Sequence, residues 1–167
     1  MRKTLLLLLG PNGVGKSTTA QALLNMLPHT ALVDGDWCRA MNPYCMDTVV
    51  ANLYALLKNY FLCPEIGLVV FPYGFHGDRK QRFDRVAEKL RQDGIDFQTL
   101  TVVLMCSLEE NIRRAQKDMR DDERIRRGIE NTYAYYDGFT CPKIDTTDLS
   151  TEHAAKRIVA LLQAACL

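Results

Sequence analysis

None of the six cysteines, at positions 38, 45, 63, 106, 141 and 166, forms a CxxC pair, and no histidine stands at zinc-ligand spacing from them. That argues against a zinc site, a redox motif and a disulfide framework, and for reduced thiols. Neither sign of charge is in excess: 21 Lys and Arg face 20 Asp and Glu, a net charge of +1. Such a balance gives no general pull toward long nucleic acid or a membrane surface, so neither is expected as a partner. Long hydrophobic runs are missing, and no segment reads as a transmembrane helix. The start, Met1-Arg2-Lys3 and then leucines, imitates a signal peptide. Its apolar run, Leu5 to Leu9, is shorter than the roughly 7–15 residues of an h-region. A buried first strand and a cytoplasmic location are expected instead. Repeats, low-complexity tracts and linkers are absent as well. A length of 167 residues, 47% of them hydrophobic, favours one domain over 1–167 with a real core.

Apolar runs alternate with helical stripes. Strands are expected at 4–9, 30–33, 68–71, 97–105 and around 143–144. Helices are expected at 16–27, 47–62, 78–92, 108–119, 130–136 and 151–165, the last capped by Ser150 or Thr151. This order implies βαβ units and an α/β fold with a parallel sheet covered on both faces. Such folds bind ligands beyond the carboxyl ends of their strands. Ligand contacts are therefore expected from residues 10–18, 34–39, 72–82, 106–127 and 144–148.

Gly10-Pro11-Asn12-Gly13-Val14-Gly15-Lys16-Ser17 fits GxxxxGK[ST], between a strand and a helix. A phosphate needs a concave ring of backbone N–H groups, and glycines let the chain close that ring. The helix N-terminus adds a positive dipole end. Gly10, Asn12, Gly13, Val14, Gly15, Lys16, Ser17 and Thr18 are thus the candidate ATP site. Lys16 bridges the β- and γ-phosphates, Ser17 ligates Mg²⁺, and Thr18 contacts the α-phosphate. An ordinary glycine-rich turn would need neither the Lys nor the Ser. No NKxD follows, which argues against a GTPase switch protein.

Two carboxylates leave the second strand in Val33-Asp34-Gly35-Asp36-Trp37-Cys38-Arg39. This stretch resembles the DGDxxR of adenylylsulfate kinases. Chloramphenicol phosphotransferases and shikimate and gluconate kinases belong to the same group of P-loop small-molecule and nucleotide kinases. The resemblance implies a three-layer P-loop NTPase fold, a five-stranded parallel sheet of order 2-3-1-4-5, and a helical lid near 113–130. It also implies that Asp36 aligns or deprotonates the acceptor hydroxyl and that Arg39 holds an anionic group of the acceptor. Asp34 then orients the Mg²⁺ shell or the P-loop. The plain alternative is a turn, which Asp-Gly-Asp suits well.

The third strand ends in Phe71-Pro72 where a Walker B acid is usual, leaving the second metal anchor open. In the loop that follows, Tyr73, Phe75 and His76 are candidate pocket wall, and Arg79 a candidate for an anionic group. The alternative is a loop packed on its neighbours, and for His76 a structural or solvated role is preferred. The helix at 47–62 is placed to cap this pocket, with Tyr44, Tyr54 or Trp37 as apolar wall; most of its stripe reads as core. Residues 113–127 hold seven Lys and Arg among four acids. As a lid they would bring Arg120 and Arg124 onto the transferring phosphoryl group. Arg113 or Arg114 is a candidate for stacking on adenine. Mixed charges at helical spacing also suit a solvated helix with internal ion pairs.

Together these features point to an ATP- and Mg²⁺-dependent kinase with a small-molecule acceptor. A regulatory ATP-binding module acting through a protein partner is the alternative, supported by the missing strand-three acid. The acceptor's identity and the oligomeric state, monomer or dimer, stay open.

Overall fold

The computed structural model describes residues 3–165; Cys166 lies outside them. Five strands form one parallel sheet of order β2-β3-β1-β4-β5: β1 (Thr4–Leu9), β2 (Thr30–Leu32), β3 (Leu68–Pro72), β4 (Gln98–Met105) and β5 (Lys143–Asp145). β1 is central and wholly buried, which is why it reads as an unbroken leucine run. Its side chains alternate between faces. Leu5, Leu7 and Leu9 join a core with α2 (Met46–Leu62), α3 (Arg79–Gln92) and Tyr136 of α6 (Asn131–Asp137). Leu6 and Leu8 join the opposite core with α1 (Lys16–Met26) and α7 (Thr151–Ala165). The expected three-layer order 2-3-1-4-5 is observed. Ser150 caps α7, its Oγ accepting from the His153 N–H at 3.2 Å.

β3 runs one residue past Phe71. Pro72 stays in register with Leu8. The Tyr73 N–H donates back to Leu8 O on β1, so the nitrogen of Pro72 faces the β2 side. β2 has ended there, and no ladder bond is lost.

The lid region departs most from the sequence reading. The helix expected to reach Met119 stops at Lys117, giving α4 (Leu108–Lys117). Arg120 N–H donates to Ala115 O and Met119 N–H to Gln116 O, a Schellman stop with Met119 left-handed at φ 56°. The usual glycine is missing there, so the sequence shows no stop. Beyond it come a short helix, α5 (Asp122–Ile125), and a π-helical turn, Arg126–Glu130, leading into α6. Ala115, Ile125 and Ile129 give this region a small core of its own.

Candidate active site

The P-loop is shaped by glycines at two decisive points. A Cβ on Gly10 would stand 2.2 Å from the Leu104 carbonyl, so only glycine lets the loop pass over β4. Gly15 has free space around it but φ 100°, at the N-cap of α1. Val14 is buried in the core, so it anchors the loop by its side chain and offers only backbone to a ligand. Asn12, Gly13, Gly15, Lys16, Ser17 and Thr18 line a cavity of about 910 Å³. Gly10 and Val14 do not line it.

Lys16 folds back over the loop, its Nζ donating to Gly10 O at 2.8 Å and Pro11 O at 2.7 Å. Burial pushes its pKa down to about 7, Arg79 and Arg120 push the same way, and Asp36 opposes them. The charge contribution follows from the cavity lining, where seven cationic side chains stand against three carboxylates. An anion among them relieves the repulsion and restores the ammonium. At pH 8 the free Lys16 is mostly neutral, so binding a triphosphate should take up about one proton. Calorimetry of ATP binding in buffers of different ionisation enthalpy measures this. A heat independent of the buffer would contradict it.

Asp34 and Asp36 divide their labour. Asp34 Oδ1 accepts the Asp36 N–H at 2.8 Å and so holds the turn. Asp36 makes no such bond; its carboxylate is 86% exposed and meets Arg39 Nη1 at 3.5 Å. The turn-forming role is filled by Asp34, which leaves Asp36 free for a ligand. Both line the cavity beside Ser17. A hydroxyl and carboxylates are hard oxygen donors, the set that Mg²⁺ takes together with phosphate oxygens. Among the described residues no three His, Cys, Asp or Glu side chains are grouped to hold a metal by themselves.

Arg39, Arg79, Arg82, Tyr73 and His76 also line the cavity. Arg82 is absent from the sequence-based site. Its spacing of three from Arg79 on α3 places both on one helix face, the signal that finds it. It is only 13% exposed and ion-paired to Asp78. Phe75, expected as pocket wall, is buried instead between Tyr73 and Phe83. Trp37 and Tyr44 are exposed and do not line the cavity. Tyr54 turns away to Asp93 and Lys58. His76 Nδ1 lies 3.0 Å from Tyr136 Oη, which also accepts the Phe75 N–H at 3.0 Å. Burial, with Arg79, Lys16 and Arg39 nearby, pushes His76 down to about 4, so it is neutral at pH 7.

From the lid region Arg120, Arg124 and Arg127 reach the cavity. The Schellman stop sets Arg120 over the P-loop, 3.5 Å from where a Gly13 Cβ would stand. Its own pair, Asp118, is long at 3.7 Å. Arg124 and Arg127 sit on the rim, 69% and 66% exposed, with loose partners Asp121 and Glu123. Arg113, expected at the nucleotide, is not brought to the cavity. It is 66% exposed and chelates Glu110 at 2.6 and 2.8 Å. Arg114 instead reaches the loop after β5, donating to Thr146 O at 2.8 Å and Thr147 O at 3.2 Å. Hydrogen bonds from Arg113 and Arg114 push Glu110 down to about 2.

The same sheet order and layering recur in solved structures. Shikimate kinase from Acinetobacter baumannii, in complex with shikimate, is similar over 99% of this chain and 96% of its own, with TM-score 0.63 and 17% identity. A gluconokinase from Sinorhizobium meliloti matches over 99% and 95%, with TM-score 0.66 and 14% identity. The APS kinase of Mycobacterium tuberculosis, in complex with AMPPNP and APS, matches over 97% and 98%, with TM-score 0.58 and 18% identity. The chain has the fold of the P-loop kinases. No family model and no curated protein sequence matches it. At these identities the likeness extends to the P-loop kinase fold and not to a substrate. No helix among the described residues is long and apolar enough to cross a membrane.

Proposed function

We propose that this chain is an ATP-dependent phosphotransferase that moves the γ-phosphoryl group to a hydroxyl or phosphate of a small molecule. The observation that carries this reading is one cavity lined together by the P-loop, the Asp34-Asp36 turn and arginines from two separate parts of the chain. A triphosphate occupies only part of such a space. On the β2–β3 side Arg39 and Arg79 are then left for a second, anionic partner, Arg82 being held by Asp78. The kinase identity of the structural neighbours supports the same reading.

In this reading the P-loop N–H groups and Lys16 grip the triphosphate, and Thr18 adds a contact at the α-phosphate. Ser17 and Asp34 would hold Mg²⁺, which neutralises phosphate charge. Asp36 aligns the acceptor oxygen with the γ-phosphorus and takes its proton when the acceptor is a hydroxyl. Arg39 and Arg79 hold the acceptor's charge. Arg120, with Arg124 at the rim, stabilises the charge on the transferring group and excludes water.

Release of ADP tests the proposal, measured across nucleosides, nucleotides, aminoglycosides, chloramphenicol-like alcohols and sugar acids. One acceptor class should raise release far above ATP alone. Firm ATP binding with no responsive acceptor would favour a regulatory ATP-binding module, the reading that the acid-free end of β3 supports. Release driven by a protein partner would then be the decisive result.

A further inference from the structure

Asn12, the third residue of the P-loop, is held between two parts of the lid region. Its N–H donates to the Gly128 carbonyl at 3.0 Å. Its own carbonyl accepts from Asn111 Nδ2 at 2.9 Å. Asn111 is wholly buried on α4, a place where an amide is costly without a partner. Its Oδ1 is the one buried side-chain polar atom among the described residues with no hydrogen bond. A leucine would fill such a position more favourably, so the amide's bond to the P-loop is what accounts for it.

Gly128 lies in the π-helical turn and has no positive φ, so conformation does not explain the glycine. Proximity does. A Cβ there would stand 2.4 Å from Asn12 Nδ2, 3.2 Å from its Cγ and 3.3 Å from its Cβ. The Gly128 carbonyl is further steadied by Thr132 Oγ1 at 3.0 Å. π-turns are rare and concentrate at functional sites. This one contains Arg127 and follows Arg124 closely, and both side chains reach the cavity.

We infer that Asn12, clamped between Gly128 and Asn111, couples the lid to the P-loop, and that Gly128 is a positioning residue for the lid arginines. Its missing side chain lets the turn dock on the loop. A ligand that orders the loop's N–H groups therefore orders the lid, and a lid lifted from Asn12 loosens the grip on phosphate. The coupling is reciprocal, as linkage requires. The inference rests on the triphosphate-binding half of the proposed function and is independent of the acceptor and of phosphoryl transfer.

The test uses the full chain with Mg²⁺ and AMPPNP, in three variants: Gly128→Ala, Asn12→Gly, and the two combined. Calorimetry reads affinity, and limited trypsin digestion reads the lid at Arg120, Arg124, Arg126 and Arg127. AMPPNP should protect these sites in the wild type. Gly128→Ala should weaken binding about tenfold or more, as overpacking at a tight contact does. Its lid should stay open to trypsin even at saturating AMPPNP. Removing the Asn12 side chain in the double variant should recover most of both losses, measured against Asn12→Gly alone because Asn12 itself lines the cavity. A glycine needed only for its backbone conformation would not be rescued from across the contact, and the protease readout ties the contact to the lid. Wild-type affinity and protection in Gly128→Ala would overturn the inference, as would a double variant no better than Gly128→Ala. Should Gly128→Ala not fold, a folded, AMPPNP-binding double variant supports the contact, and an unfolded one overturns it. A wild type that binds no AMPPNP sinks this inference together with the proposed function. A wild type that binds and is protected, matched by Gly128→Ala, sinks the inference alone.

Discussion

Lys16→Met is expected to lower ATP-dependent turnover by about a thousandfold, the scale seen when a transition-state charge loses its fixed donor. The methionine keeps the stem and removes the ammonium. In the free protein that ammonium rests on Gly10 O and Pro11 O, pushed down to about 7 by burial and by Arg79 and Arg120. Its charged form is disfavoured by the fold, and losing it should leave stability within about 1 kcal/mol of the wild type. The two measurements separate chemistry from folding. Initial rates with the responsive acceptor give the first, and urea denaturation gives the second. Proton uptake on ATP binding should vanish in the same variant. Turnover within a few-fold of the wild type would show that Lys16 does not serve the phosphates.

Asp36→Asn should cut turnover by about a hundredfold to a thousandfold with ATP affinity little changed, the range for removing a positioned base. The amide keeps the shape and loses the proton acceptor. Folding should be indifferent, because Asp34 and not Asp36 holds the turn. Asp36 also props up the Lys16 ammonium. Its neutralisation should push Lys16 further down and enlarge the proton uptake on ATP binding at pH 7, where the free wild type is still about half protonated. Steady-state kinetics with the responsive acceptor decides the matter, and undiminished turnover would remove Asp36 from the base role.

Both predictions concern residues legible in the sequence, and the reason is local. A P-loop is a contiguous segment whose spacing is dictated by the phosphate it wraps. Asp34 and Asp36 follow a strand end, which any parallel sheet directs to the ligand side. Arg82, Asn111 and Gly128 were less accessible for the opposite reason. Arg82 needed the face of α3 to be known. Asn111 looks like one more polar residue on a charged helix until the α4 axis is placed against the P-loop. Gly128 looks like a turn glycine until Asn12 is found within reach of its Cα. Arg113 shows the converse. Its sequence neighbourhood fits a nucleotide contact as well as that of Arg114, and only the rotation of α4 sends one to solvent and the other to the β5 loop.

By itself, the order of apolar runs and turns determined a parallel sheet and its layers, because both rest on contacts close in the chain or on a strand buried on both faces. Tertiary structure alone decided which arginines share a cavity, that Phe75 belongs to the core, and that α4 stops early, at Lys117, before a left-handed Met119. Those outcomes depend on helix rotation and on side chains far apart in sequence competing for the same space, and neither leaves a periodic trace in the residues.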